Sequence, residues 1–160
     1  MDTDWLEEEE LRAWVRLVAL VELLPGVLEG QLRRDAGLTH FEYFVLAVLS
    51  EAPEQTLRMT SLAGRTNATL PRLSHVVRRL EGRGLVERFP CAEDGRATNV
   101  RLTGDGRDLV VKTAPGHVAN VRRHVIDALT PEQVAQLSSI AGAVLERVDP
   151  EGLMTATTRR

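Results

Sequence analysis

Residues 60–102 read TSLAGRTNATLPRLSHVVRRLEGRGLVERFPCAEDGRATNVRL, and the order of signals in that stretch decides the fold. Two short helical candidates, Thr60 to Arg65 and Thr69 to Gly82, are separated by hardly any chain, which is helix-turn-helix spacing. Pro71 falls in the first turn after a Thr69 cap, where a missing amide costs nothing, and Gly84 suits a left-handed stop. Leu85 to Pro90 and Thr98 to Leu102 read as strands, the second alternating Thr98, Val100 and Leu102 against Asn99 and Arg101. The polar loop between them, Cys91 to Ala97, holds Asp94-Gly95, a hairpin turn signal. Helix, turn, helix and hairpin predict a winged helix-turn-helix with a small antiparallel wing in a mainly α chain.

Outside this stretch the periodicity is helical. Apolar residues at Leu11, Trp14, Val18, Val21, Leu28 and Leu32 predict a long amphipathic helix from Asp4 to Asp35, with a kink or short break at Pro25-Gly26. Thr39-x-x-Glu42 is a capping box, so a second helix runs from about His40 to Ser50. Thr103 caps a helix expected to reach about Ala128 and to bend at Pro115-Gly116, and Thr130-Pro131-x-Gln133 starts a last one. The expected organisation is an N-terminal dimerisation helix over 1–38, the winged segment over 39–103, C-terminal dimerisation helices over 104–149 and a disordered tail over 150–160. The helices outside 39–103 carry apolar stripes that would stand bare on a lone chain, so two-fold pairing is expected.

The 160 residues are enough for one domain, and a formal charge of −3 gives no reason by itself to expect nucleic acid. Its distribution does. From Arg58 to Arg107 ten arginines (58, 65, 72, 78, 79, 83, 88, 96, 101, 107) face five acids (Glu81, Glu87, Glu93, Asp94, Asp105), so this middle carries +5 and the rest −8. A basic segment in an acidic scaffold is the footprint of a module that meets phosphate backbones. The competing reading is a solvated face of ion pairs, such as Glu81 with neighbouring arginines, and charge alone leaves both open. A single cysteine excludes an internal disulfide, no stretch approaches the roughly 20 apolar residues of a membrane span, and the acidic start is no signal peptide, so a cytoplasmic protein is expected.

Beyond these local signals, the chain resembles the MarR (multiple antibiotic resistance regulator) family of winged-helix repressors from about Leu11 to Val148. The resemblance is carried by Leu62-Ala63 before the turn, Val76-Val77-Arg78-Arg79-Leu80-Glu81 with Gly84-Leu85-Val86-Glu87-Arg88 after it, Asp94-x-Arg96 in the wing, and Leu102-Thr103-x-x-Gly106. It implies that Asp94 and Arg96 pair to shape the wing loop and that the arginine reaches a minor groove. Pro71 departs from the family's usual recognition helix. The resemblance also implies a ligand site between scaffold and reading heads, for which Trp14, Phe41, Tyr43 and Phe44 are the candidates, against their plainer role as core.

The N-terminal residues of a groove-seated helix meet base edges, so Thr69, Pro71, Arg72, Ser74 and His75 are the candidates for readout and Arg78 and Arg79 for phosphates. Thr69 as a plain cap, His75 as a surface group and Arg79 as an ion-pair partner are the structural alternatives. Cys91 lies near Arg88 and Arg96 in sequence, cations that could make it a redox switch. His117 and His124 sit about 10.5 Å apart along one helix, too far for one metal without other residues. No phosphate loop, metal cluster or nucleophile with its base appears, so an enzyme is not expected, nor a cofactor. The expected function is a homodimeric regulator, a repressor of double-stranded DNA targets with a near-palindromic operator and release by a small-molecule effector. The alternative is a winged helix used for protein contacts alone.

Overall fold

The computed structural model describes residues 4–156. Helix α1 (Glu8–Ala36) leads into α2 (His40–Glu51), a short strand β1 (Thr56–Arg58), α3 (Met59–Arg65) and α4 (Leu70–Gly82). A hairpin of β2 (Val86–Pro90) and β3 (Thr98–Leu102) follows, then α5 (Gly104–His124) and α6 (Pro131–Val148). This is the winged helix-turn-helix that the sequence predicts. Strand β1 was not foreseen: it pairs antiparallel with β3, Leu57 opposite Val100, giving the order β1-β3-β2. Three residues are too few to show an alternation.

Local chemistry explains most boundaries. Thr39 Oγ1 accepts from the Glu42 N–H while Glu42 Oε2 accepts from the Thr39 N–H, at 3.0 and 2.9 Å, closing the expected capping box. Thr130 and Gln133 do the same at the head of α6. Helix α1 starts at Glu8 and not at Asp4, because the Glu10 carboxylate accepts from the Glu7 N–H and acids fill the first turn, where the helix dipole favours them. It ends on Gly37 in the left-handed region, φ 62°. Helix α5 stops at His124, four residues earlier than expected, with the β-branched pair Val125-Ile126 at the break and a 3-10 turn over Ile126–Ala128.

Helix α1 runs through Pro25-Gly26 without the short break that was one of the two expectations there, and α5 stays helical through Pro115-Gly116. A proline removes one hydrogen bond, and the turns on either side of it carry a long helix past that gap. Gly116 has a different task. A Cβ there would lie 2.8 Å from Gln31 Nε2 and 2.9 Å from Asp35 Oδ2, so glycine lets α5 come close against α1.

The core lies in the winged segment and the ends of the helices that join it: Leu32, Leu46, Leu49, Leu62, Leu73, Val77, Leu80 and Val100 are fully buried. The first buried residue of α1 is Leu28, and no residue of α6 is buried. After α6 the Asp149 carboxylate accepts from the N–H groups of Leu153 and Met154 at 3.0 and 2.9 Å. This turns the chain back, placing Leu153 Cδ1 3.2 Å from where a Cβ on Gly64 would sit. The part of the tail up to 156 is therefore in turns, where disorder was expected, and 157–160 lie outside the described residues. Among the described residues no helix is long and apolar enough to cross a membrane.

Thr103 joins wing to scaffold. Its hydroxyl donates to the Gly84 carbonyl at 2.6 Å and accepts from the Gly106 N–H at 3.0 Å, which brings the first turn of α5 onto the chain between α4 and β2. A methyl on Gly106 would run into the Leu85 carbonyl oxygen and lie 2.8 Å from Leu102 Cδ1. Gly106→Ala should therefore destabilise the fold by about 1–3 kcal/mol, read as a lower urea midpoint at unchanged slope. An unchanged midpoint would show that this junction yields without cost.

Candidate nucleic-acid interface

Helix α4 presents three faces. Leu73, Val77 and Leu80 are buried in the core. Turning about 100° per residue, Pro71, Ser74, His75 and Arg78 fall on the opposite side, and Arg72, Arg79 and Arg83 on one flank. Pro71, His75 and Arg78 are exposed and Ser74 is half-buried. Thr69 Oγ1 accepts from the Arg72 N–H at 3.4 Å, the cap expected of it, and Pro71 occupies the first turn.

The flank arginines are occupied. The Arg72 guanidinium lies 4.1 Å from the centroid of the Phe41 ring. Arg79 Nη2 pairs with Glu42 Oε1 at 3.2 Å, so it is the ion-pair partner that the sequence left as an alternative to a phosphate contact. Arg83 donates to the carbonyls of Gly37 and Ala36 at 3.0 and 2.9 Å. Across the segment, Arg58, Arg88 and Arg101 pair with Glu93, Glu81 and Glu87. Among the described residues Arg65, Arg72, Arg78, Arg83, Arg96 and Arg107 have no ion-pair partner, so the solvated-face reading holds for part of the basic segment, and the contacts of Arg72 and Arg83 with a ring and with carbonyls leave their charge unneutralised.

The wing is tied to α4 by Arg88, whose Nη2 and Nε donate to Glu81 Oε2 at 2.8 and 3.1 Å while its backbone N–H donates to Oε1 at 3.1 Å. These bonds hold the Glu81 carboxyl below its ordinary range. At the tip, Asp94 Oδ1 accepts from the backbone N–H of Arg96 at 3.1 Å. The expected pairing of the two residues is thus made through the backbone, because an Asx turn needs only the amide, and the Arg96 side chain stays exposed. Arg96 shares a cleft of about 200 Å³ with Thr60, the second residue of α3, and Leu70, the first of α4. Neither Thr60 nor Leu70 stood out in the sequence, though Leu70, an exposed leucine beside the Thr69 cap, is a signal that could have been used.

Cys91 is buried, and the cation beside it is Arg58, with Nη2 3.5 Å from Sγ, not Arg88 or Arg96. Backbone N–H groups of Glu93 and Asp94 foremost, and Arg58 after them, lower the thiol pKa. Arg88 is unavailable because Glu81 holds it. Within one chain the four aromatic candidates have different surroundings: Trp14 is 55% exposed, Phe41 lies under Arg72, Tyr43 is buried with its ring 4.7 Å from that of His117, and Phe44 packs on the core. His124 Nδ1 lies 3.0 Å from the Asn120 carbonyl, far from any role with His117.

His117 Nδ1 and Gln31 Oε1 are buried and have no hydrogen-bond partner among the described residues. Burial, and then the charge of His40, lowers the His117 pKa; burial also lowers that of His40, against the opposing pull of Glu29. Both imidazoles are therefore neutral in the fold where an unfolded chain, titrating near about 6.5, begins to take up protons. The unfolded state binds more protons as the pH falls below that value, so the stability present above it is lost on acidification through the folded pKa. Unfolding in urea should show a lower midpoint at pH 5 than at pH 7, and His117→Gln should narrow the gap. A variant that keeps the whole difference would contradict the assignment.

Comparison with known proteins bears on this geometry. A family model described as the MarR family matches residues 38–98. The chain is 43% identical to Sco3205, a MarR family transcriptional regulator from Streptomyces coelicolor whose crystal structure is a complex with DNA, over 93% of each chain with a TM-score of 0.88. This chain belongs to the MarR family. AbsC, a MarR family transcriptional regulator from the same organism, is 38% identical over 91% of this chain and 98% of its own, with a TM-score of 0.85. The HTH-type transcriptional repressor YetL of Bacillus subtilis (strain 168) is 27% identical over 112 residues, 70% of this chain and 66% of YetL. The stretch matched by the MarR model runs from Leu38 through α3, α4 and β2 to the first residue of β3.

Proposed function

We propose that this protein is a repressor that binds double-stranded DNA as a homodimer on a near-palindromic operator. The observation that carries the reading is the shared placement of the exposed stripe of α4 and the unpaired Arg96, which meets the start of α4 in one cleft. An α-helix fits the major groove, and a wing-tip arginine suits the strong negative potential of a narrow minor groove. Thr69, Pro71, Arg72, Ser74 and His75 would face base edges and Arg78 a phosphate, while Asp94 shapes the loop that presents Arg96. The contact with Phe41 suits Arg72 to this work, since a ring face holds the guanidinium without taking up its N–H donors, which could meet a guanine. The DNA-bound structure of Sco3205 and the repressor YetL support this reading.

The pairing follows from what one chain leaves bare. Leu11, Trp14, Val15, Leu20, Val21 and Leu23 of α1 are 50%, 55%, 57%, 59%, 61% and 67% exposed, and on α6 Ile140 and Val148 reach 63% and 70%. Apolar faces of this extent mark association sites. In the proposed arrangement 1–38 and 104–149 form the dimerisation scaffold and 39–103 the head. A small-molecule effector would need a site completed by the second copy, given that within one chain Trp14 is exposed, Phe41 is covered by Arg72, and Tyr43 and Phe44 pack in or on the core. Sedimentation at micromolar concentration should show a dimer, and a well-folded monomer would contradict the pairing.

Binding should depend steeply on salt although the chain is acidic, because the scaffold carries the negative charge away from the heads. With roughly five to eight phosphates neutralised per dimer, log K should fall with log salt at a slope of about −5 to −7. A flat response would place the arginines in structural roles and favour the protein-contact reading. Arg72→Ala should relax base preference at one operator position, costing about 1–3 kcal/mol, whereas Arg96→Ala should weaken binding with less effect on major-groove choice. Equal, sequence-blind losses in a competition binding assay would refute these roles.

A further inference from the structure

The three arginines on the flank of α4 all reach back to one place, the corner where α1 ends and α2 begins. Arg72 stacks on Phe41, Arg79 pairs with Glu42, and Arg83 donates to the carbonyls of Ala36 and Gly37. Their spacing, seven and then four residues, returns to the same flank of a helix within about 40°. On the corner side each acceptor is itself held. Glu42 is buried and already closes the cap of α2 through its other oxygen. The Ala36 and Gly37 carbonyls belong to the end of α1, where acceptors lack intrahelical partners and the dipole favours a cation. Glu29 further fastens the corner, accepting from the His40 N–H at 3.0 Å and from Arg33 Nε at 2.6 Å.

We propose that residues 36–42 form a bracket that sets the angle at which α4 is offered to DNA, with Phe41, Glu42, Arg79 and Arg83 as positioning residues. Arg79 and Arg83 are then anchors, although their charge and place on the recognition helix resemble those of phosphate contacts. Two anchors one turn apart fix the rotation of α4 about its own axis, which a single one would leave free. Base edges are read only when side chains sit within about half an ångström and 10–20° of the working geometry, so this rotation bears on sequence choice. The same corner ends the scaffold helix α1, so the bracket passes scaffold position to the reading face without a flexible joint. The inference rests on the DNA-binding reading above.

The two substitutions that open the bracket change charge in opposite directions, which separates anchoring from electrostatics. Glu42→Gln keeps a residue able to close the capping box but releases Arg79 and makes the head more basic; Arg83→Gln makes it less basic. The probe is the duplex that the wild-type dimer enriches from a randomised 30-base-pair library, with calf-thymus DNA as the non-specific competitor, and thermal melting reports the folded fraction. Both variants should lose about three- to tenfold in affinity for the selected duplex and keep the wild-type salt slope, with non-specific affinity changed by less than about twofold. A purely structural defect would lower specific and non-specific binding together. Tighter specific binding by Glu42→Gln, or a slope reduced by about 2 per dimer in Arg83→Gln, would overturn the bracket and make these arginines phosphate contacts. If Arg83→Gln does not fold, Glu42→Gln decides alone, by the sign of its effect. A wild-type dimer that enriches no duplex refutes the DNA-binding reading, and the bracket with it.

Discussion

Glu42 is the carboxylate on which the two halves of this chain meet. One oxygen closes the cap of α2 and the other holds Arg79 of α4, while the residue itself is only 3% exposed. A buried carboxylate is tolerated where its lone pairs are satisfied, and here both partners come from elements that must not move apart. The exposed end of the pair is on Arg79, so its worth lies less in net stability than in geometry. Once α4 is fixed against α2, the Arg88–Glu81 bonds fix the wing against α4, and Thr103 fixes α5 against the chain between them. The exposed face of α4 and the wing are placed by the sum of these attachments.

The other half of the account is surface left uncovered. No residue of α6, and none of α1 before Leu28, is buried within one chain, yet both helices carry large apolar residues along most of their length. Periodicity of this kind has a cost in solubility unless a second surface meets it. In the proposed dimer a second copy would provide that surface, and the two heads would be set at a distance fixed by packed helices. Of the 23 acidic residues 16 lie outside 39–103, which is why the net charge of −3 says so little about that segment.

What could be read from the sequence was what short-range chemistry encodes. Caps at Thr39, Thr69, Thr103 and Thr130, the first-turn Pro71 and the left-handed Gly84 each act within four residues, and each is found where it was expected. What could not be read depends on partners far along the chain. Arg83 meets carbonyls 46 and 47 residues earlier, Arg58 meets Cys91 33 residues later, and β1 exists only because β3 is beside it. The charge pattern showed that arginines cluster but not which are spent on acids. At the Pro-Gly pairs the local rule could not decide between a kink and a break, and the helices continue, with Gly116 of α5 placed closely against α1.

A dimer whose heads are rigidly joined can occupy consecutive major grooves only where their separation matches one turn of DNA, about 34–36 Å. Inserting five base pairs between the half-sites of the selected operator moves them to opposite faces of the duplex, and gel-shift titration of the two duplexes at one salt concentration measures the consequence. Rigid coupling predicts that the lengthened operator binds little better than non-specific DNA. Undiminished binding to it would contradict the account, since it would mean that the heads move independently of the scaffold.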